Sequence, residues 1–111
     1  MDREELAYVA GVFDGEGHIS AFTRRTSIGR VGVRLVLAIT QKHRFMLDRV
    51  QLSVGGTVYF NDRLGYPIYT LRMHRFEIVQ NAIARMWPWL GPVKRAEADE
   101  ALGFYVHWKV G

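Results

Sequence analysis

Residues 6–17 read LAYVAGVFDGEG, and within them Ala7, Gly11 and Gly15 recur at every fourth position. Four residues are slightly more than one helical turn, so on a helix these three form a stripe almost bare of side chains. Such a stripe wastes apolar area unless another backbone comes very close to it. Leu6, Val9 and Phe13 fall on a second stripe suited to a core. The spacing predicts a helix over residues 3–13, with Asp2 as N-cap and Glu5 where a capping box wants an acid. At its far end stands Gly15-Glu16-Gly17, two glycines whose freedom to take positive φ would stop the helix abruptly. Asp14 and Glu16 then place carboxylates at a helix C-terminus, where the macrodipole disfavours negative charge unless a cation compensates. Each feature alone is commonplace as packing, cap or solvated acid. Together they point to a seam between two helices that ends in a metal site.

The rest of the chain reads as strands and helices in alternation. His18 to Arg24 fits a short strand, and RTSIGR supplies a polar loop with Gly29. From Val31 to Thr40 the pattern has period two, with Val33, Leu35, Leu37 and Ile39 on one side and Arg34, Val36, Ala38 and Thr40 on the other. Lys42 to Leu52 reads as a second helix through Phe45, Met46, Val50 and Leu52, stopped by Gly55-Gly56. Thr57–Phe60 and Pro67–Met73 read as strands joined by the turn-rich NDRLGY. Residues 75–87 make a third helix through Ile78, Val79, Ala82, Ile83 and Met86, and Pro88 and Pro92 bracket a break. A last helix begins near Lys94, with Ala98, Ala101, Leu102, Tyr105 and Trp108 on one side. The class is α+β with antiparallel hairpins, in the order αββαββα, as a single domain over residues 1–111. The two ββα stretches share order only, so no internal repeat is inferred.

Composition narrows the function classes. Hydrophobic residues make up 49% of the 111 residues, which predicts a packed core. Cysteine is absent, which excludes disulfides and thiolate zinc sites. No stretch approaches a membrane span and Met1 leads straight into charged residues, so an intracellular soluble protein is expected. The net charge of +4 conceals an uneven distribution: Gly17 to Arg95 holds 13 Lys/Arg against Asp48, Asp62 and Glu77, whereas the two ends are acidic. A basic middle suggests a polyanion partner, because neutralising phosphates releases counterions. The sequence offers no Ser-His-Asp set and no HxxxH pair, and His18, His74 and His107 are scattered. Trp87, Trp89 and Trp108 sit at apolar positions flanking helices, which suits core filling better than base stacking.

VAGVFDGEG, residues 9–17, is similar to the nine-residue signature of the LAGLIDADG homing endonucleases, with Glu16 at the family's metal-binding acidic position. Valine and phenylalanine replace aliphatics there, and glutamate stands where aspartate is commoner; it supplies the same oxygen ligand on a longer arm. ITQK, residues 39–42, resembles the segment in which single-motif members keep a glutamine near the scissile phosphate, here Gln41. WLGPVKRAEA resembles the family's segment with a catalytic-site lysine, which falls on Lys94, with Arg95 one residue away as the alternative. The family's αββαββα order agrees with the order read above, although this chain is shorter than many relatives at its C-terminal end.

The resemblance implies a homodimeric, site-specific endonuclease that hydrolyses both strands of double-stranded DNA at a palindromic or near-palindromic site, of the kind that mobilises introns or inteins. It implies two motif helices packed side by side through Ala7, Gly11 and Gly15. Mg²⁺ (Mn²⁺ or Ca²⁺ also fit the site) would then be ligated by Glu16 and the backbone carbonyl near Gly15, with Gln41 and Lys94 organising water and stabilising charge. If Val33, Leu35, Leu37 and Ile39 face the helices, alternation turns Arg34, Val36 and Ala38 toward DNA. The same parity exposes Ser20, Phe22 and Arg24 on the first strand, Tyr59 and Asn61 on the third, and Ile68, Thr70 and Arg72 on the fourth, where Arg can read guanine and Asn adenine. Arg25, Arg30, Lys42, His43, Arg44 and Arg63 fall where phosphate or loop contacts would be made. The rival readings are a cleavage-deficient DNA- or RNA-binding module (a regulator or intron maturase), an unrelated α+β domain for a small ligand or protein, and an interaction-only dimer.

Overall fold

A strand with one apolar face needs a layer packed against that face, and the period-two stretch around Leu35, Leu37 and Ile39 supplies the centre of such a sheet. The computed structural model describes residues 3–110, so the expected cap at Asp2 lies outside the described residues. The elements are α1 (Arg3–Glu16), β1 (Gly17–Arg25), β2 (Val31–Gln41), α2 (Arg44–Val54), β3 (Thr57–Asn61), β4 (Ile68–Met73), α3 (Phe76–Met86), a 3-10 turn (Trp87–Trp89) and α4 (Pro92–Val110). The α+β reading holds. The last helix, read from near Lys94, is α4; it begins at Pro92 and stands as an eighth element beyond the αββαββα order. Proline suits a helix's first position, because its missing N–H would have had no intrahelical partner there.

The four strands form one antiparallel sheet in the order β1-β2-β4-β3. Ile19, Leu35, Leu37, Ile39, Leu71 and Met73 are buried on one face against Val9 and Phe13 of α1, Val50 of α2, Val79 and Ile83 of α3, and Ala98 and Ala101 of α4. All helices thus cover the face predicted by alternation. Trp87 and Trp89 pack against this core, half-buried.

Three expectations need correction. First, α1 continues through Gly15 to Glu16, and positive φ occurs at Gly29, Gly55, Gly56 and Gly65 but not at Gly15 or Gly17. Gly17 is required for space: a Cβ there would run into the Phe13 ring and lie 2.6 Å from the Phe13 carbonyl oxygen. The helix therefore passes straight into β1. Second, α2 starts at Arg44 and its core stripe is Leu47, Val50 and Val54, while Phe45 (76% exposed) and Leu52 (87%) face outward. Apolar residues lie on two sides of this helix, so periodicity alone left its phase open. Third, Ile78 lies outside the buried stripe of α3, which is Val79, Ala82, Ile83 and Met86. Glu5 also ties α1 to α2: Arg49 Nε and an Nη donate to its carboxylate at 2.7 and 2.9 Å. The same guanidinium lies 3.7 Å over the Tyr8 ring, and the bond to Glu5 holds its pKa above the ordinary arginine value.

Candidate functional site

Register decides which side chains share the open face of the sheet, because directly paired residues of antiparallel strands project to the same side. Ser20 pairs with Val36, Phe22 with Arg34, and Arg24 with Gly32. Ala38 pairs with Arg72 and Thr40 with Thr70, while Tyr59 pairs with Thr70 and Asn61 with Ile68. Every strand residue assigned to DNA by parity therefore lies on the face away from the helices. Arg25 pairs with Val31 on the opposite parity, and its guanidinium donates to the Gly29 carbonyl at 3.3 Å. Three further side chains on the open face were not assigned to DNA: His18, opposite Ala38, Thr40, opposite Thr70, and Thr57, opposite Arg72. Their parity with Ser20, Ala38 and Tyr59 was the available signal.

Local bonds qualify what these side chains offer. Asn61 Oδ1 accepts the Arg63 N–H at 2.8 Å, closing a turn. Asn61 keeps its amide N–H donors and a second lone pair on Oδ1 for other partners. The Thr40 and Thr70 hydroxyls lie 3.2 Å apart, and Arg72 sits 6.0 Å from the Tyr59 ring. At the β1–β2 hairpin, Arg24, Arg25 and Arg34 line an open cavity of about 450 Å³ with Thr26 and Ser27. Gly29, at φ 82°, makes the turn, and the Thr26 N–H bonds the Arg30 carbonyl at 2.7 Å. Arg44 pairs with Asp48 at 3.0 Å on the exposed side of α2.

The tip of α1 meets the sheet at the end of β2. Glu16, exposed, lines an open groove of about 370 Å³ with Thr40, Gln41, Lys42, His43, Tyr66 and Ile68. Glu16 and Gln41, distant in sequence, are thus brought together, and Thr40 and Ile68 connect the groove to the open face of the sheet. Tyr66 is a groove residue that sequence reading missed, since only the β3–β4 turn carries it there; Lys42 Nζ lies 4.9 Å from its ring.

Lys94 does not line this groove. Its side chain is 14% exposed, with Nζ 3.1 Å from Glu97 Oε2. That oxygen is buried and makes no directed hydrogen bond, so the attraction is Coulombic rather than a well-aligned bond. Arg95 is spent on its own turn, donating twice to the Trp87 carbonyl at 3.2 and 2.9 Å and lying 5.2 Å from the Trp87 ring. Of the two cations left open by sequence, Lys94 is the one not committed to a backbone carbonyl.

Asp14 Oδ1 accepts the Gly91 N–H at 3.0 Å, a partner from the start of α4 that local spacing does not indicate. No cluster of three or more His, Cys, Asp or Glu occurs among the described residues. The donors at the α1 tip are oxygens, namely the Glu16 carboxylate and the last carbonyls of a helix, which lack intrahelical partners. Such hard donors suit Mg²⁺ or Ca²⁺, whose remaining positions water and phosphate oxygens would fill. Along the same helix Gly11 and Gly15 are exposed, and a Cβ added at either would meet nothing within 4 Å. Ala7 beside them is half-buried.

Among the described residues no helix is long and apolar enough to cross a membrane. No protein-family model matches the sequence, and no curated protein matches it significantly. Solved structures do. The homing endonuclease I-CvuI, crystallised on a DNA target with 2 mM Mg and the DNA not cleaved, superposes with a TM-score of 0.80 at 24% identity, covering 93% of this chain and 66% of its own. I-CvuI on its own target with 2 mM Ca gives 0.79 at 25% identity, with the same coverage. The homing endonuclease I-TnaI gives 0.76 at 19% identity, covering 100% of this chain and 76% of its own. The LAGLIDADG meganuclease I-CpaMI, bound to uncleaved DNA, gives 0.72 at 20% identity over 94% of this chain and 37% of its own. The chain thus spans just under two thirds of the I-CvuI length. From its first helix to its last, this chain has the fold of the LAGLIDADG homing endonucleases.

Proposed function

We propose that this chain is a site-specific, metal-dependent DNA endonuclease that works as a homodimer. The observation that carries the reading is the convergence of Glu16 and Gln41 in one groove opening beside an arginine-bearing sheet face, on a fold shared with DNA-bound homing endonucleases. Two α1 helices pack through Ala7, Gly11 and Gly15, bringing the two Glu16 tips together. A bound divalent cation supplies activation of the attacking water and stabilisation of the leaving oxygen. Glu16 and the Gly15 carbonyl hold that ion, Gln41 orients water at the scissile phosphate, and Lys94, released from Glu97, faces the developing charge. A two-fold dimer prefers a target with matching symmetry.

The open face reads the major groove. Arg24, Arg34 and Arg72 are placed for guanine, and Phe22, Val36, Ala38 and Ile68 for thymine methyls, with Ser20, Tyr59 and Thr70 between them. Arg25, Arg30, Lys42, Arg44 and Arg63 contact phosphates and fix the docking. The deciding experiment is cleavage selection on a randomised palindromic library in Mg²⁺. The expected result is cutting of both strands at a symmetric site. Glu16→Gln should then cost more than the roughly 10–100-fold typical of changes outside a metal's direct ligands, with DNA affinity largely kept. Wild-type protein that binds DNA yet nicks nothing would sink the nuclease reading in favour of a cleavage-deficient binding module.

A further inference from the structure

We infer that Asp14 is a positioning residue, which ties the end of α1 bearing Glu16 to the start of α4 bearing Lys94 and so holds the two parts of the site in register. The inference rests on the nuclease reading, because that reading assigns both residues to one site. Asp14 Oδ1 accepts the Gly91 N–H at 3.0 Å, across a sequence separation of 77 residues. The Gly91 carbonyl accepts the Arg95 N–H at 3.1 Å, so Gly91 stands as the N-cap of α4 and its bonded N–H is one that the helix itself cannot satisfy. A carboxylate is favourable at that N-terminus and unfavourable at the C-terminus of its own helix. Asp14 therefore offsets its local cost only while the two helix ends stay together.

The junction is tight as well as bonded. A Cβ on Gly91 would lie 2.8 Å from Asp14 Oδ2 and 3.3 Å from Oδ1. From the other direction, Arg95 grips the Trp87 carbonyl with two bonds. Lys94 thus stands between two anchors, Gly91 and Arg95, only one of which reaches α1. Asp14 is two residues from Glu16, and residues at i and i+2 point to different sides of a helix, so Asp14 faces α4 while Glu16 faces the groove.

The rival role for Asp14 is a second metal ligand, and substitution separates the two. Asn keeps the accepting oxygen and loses the charge, whereas Ala loses both. Single-turnover cleavage and DNA affinity would be measured for Asp14→Asn, Asp14→Ala and Gly91→Ala in Mg²⁺, with thermal unfolding as the folding control. The expected result is cleavage within about threefold of wild type for Asp14→Asn, and a loss of about 10–100-fold for Asp14→Ala with affinity unchanged. Gly91→Ala, which displaces the carboxylate from the far side, should reproduce the Asp14→Ala loss, and the double Ala variant should be no worse than either. Asp14→Asn as impaired as Asp14→Ala overturns the inference in favour of a ligand, and Asp14→Ala cutting at the wild-type rate overturns it outright. Amide hydrogen exchange in the first turn of α4, faster in Asp14→Ala than in Asp14→Asn, tests the tie without cleavage. If wild type cuts no DNA, the nuclease reading fails while the exchange result still decides whether Asp14 holds the junction. Should Asp14→Ala not fold, Gly91→Ala against Asp14→Asn carries the same comparison.

Discussion

Gly17 and Gly15 sit two positions apart and do opposite things. At Gly17 a side chain would collide with Phe13, whereas at Gly15 and Gly11 it would enter open solvent. Gly17→Ala should therefore destabilise the fold by about 1–3 kcal/mol, the usual cost of overpacking, read as a lower urea midpoint. Gly15→Ala should leave the isolated fold intact or stabilise it by roughly 0.5–1 kcal/mol, since alanine is the better helix former, while weakening association of two copies by sedimentation. Sequence reading grouped these glycines together because composition cannot distinguish a residue that lacks room from one that offers it. The approach of Glu16 to Gln41 was anticipated only through resemblance to a family. The pairing of Asp14 with Gly91 and the place of Tyr66 in the groove are set by chain folding over long separations, which no local spacing encodes.

Strands and helices differed in how much their sequences disclosed. A strand has two sides, so the alternation of Leu35, Leu37 and Ile39 fixed the inner face and, by register, the outer faces of β1, β3 and β4. A helix can rotate continuously, and α2, with Leu47 and Val50 inward but Phe45 and Leu52 outward, admits more than one apolar stripe. The phase is testable: Leu47→Ala should cost about 2–5 kcal/mol in denaturant unfolding, whereas Leu52→Ala should stay within about 0.5 kcal/mol. Near-equal effects would mean that the helix is rotated from the position described.

For the whole molecule the proposed dimer sets the decisive expectation. Gly11→Leu places a bulky side chain on the bare stripe, and it should leave helical content unchanged while the protein sediments as a monomer that no longer cuts both strands. A mutant that remains dimeric and fully active would exclude the α1 seam. Glu16 ends α1 and Gly17 opens β1 with no loop between them. On the proposed reading, the group that breaks the phosphodiester and the strand that reads the bases are joined without an intervening loop. The offset between cut and recognised bases then becomes a fixed ruler length, immune to loop drift. One residue inserted at that junction would turn Ser20, Phe22 and Arg24 inward, so the enzyme would lose its sequence preference before it lost its metal.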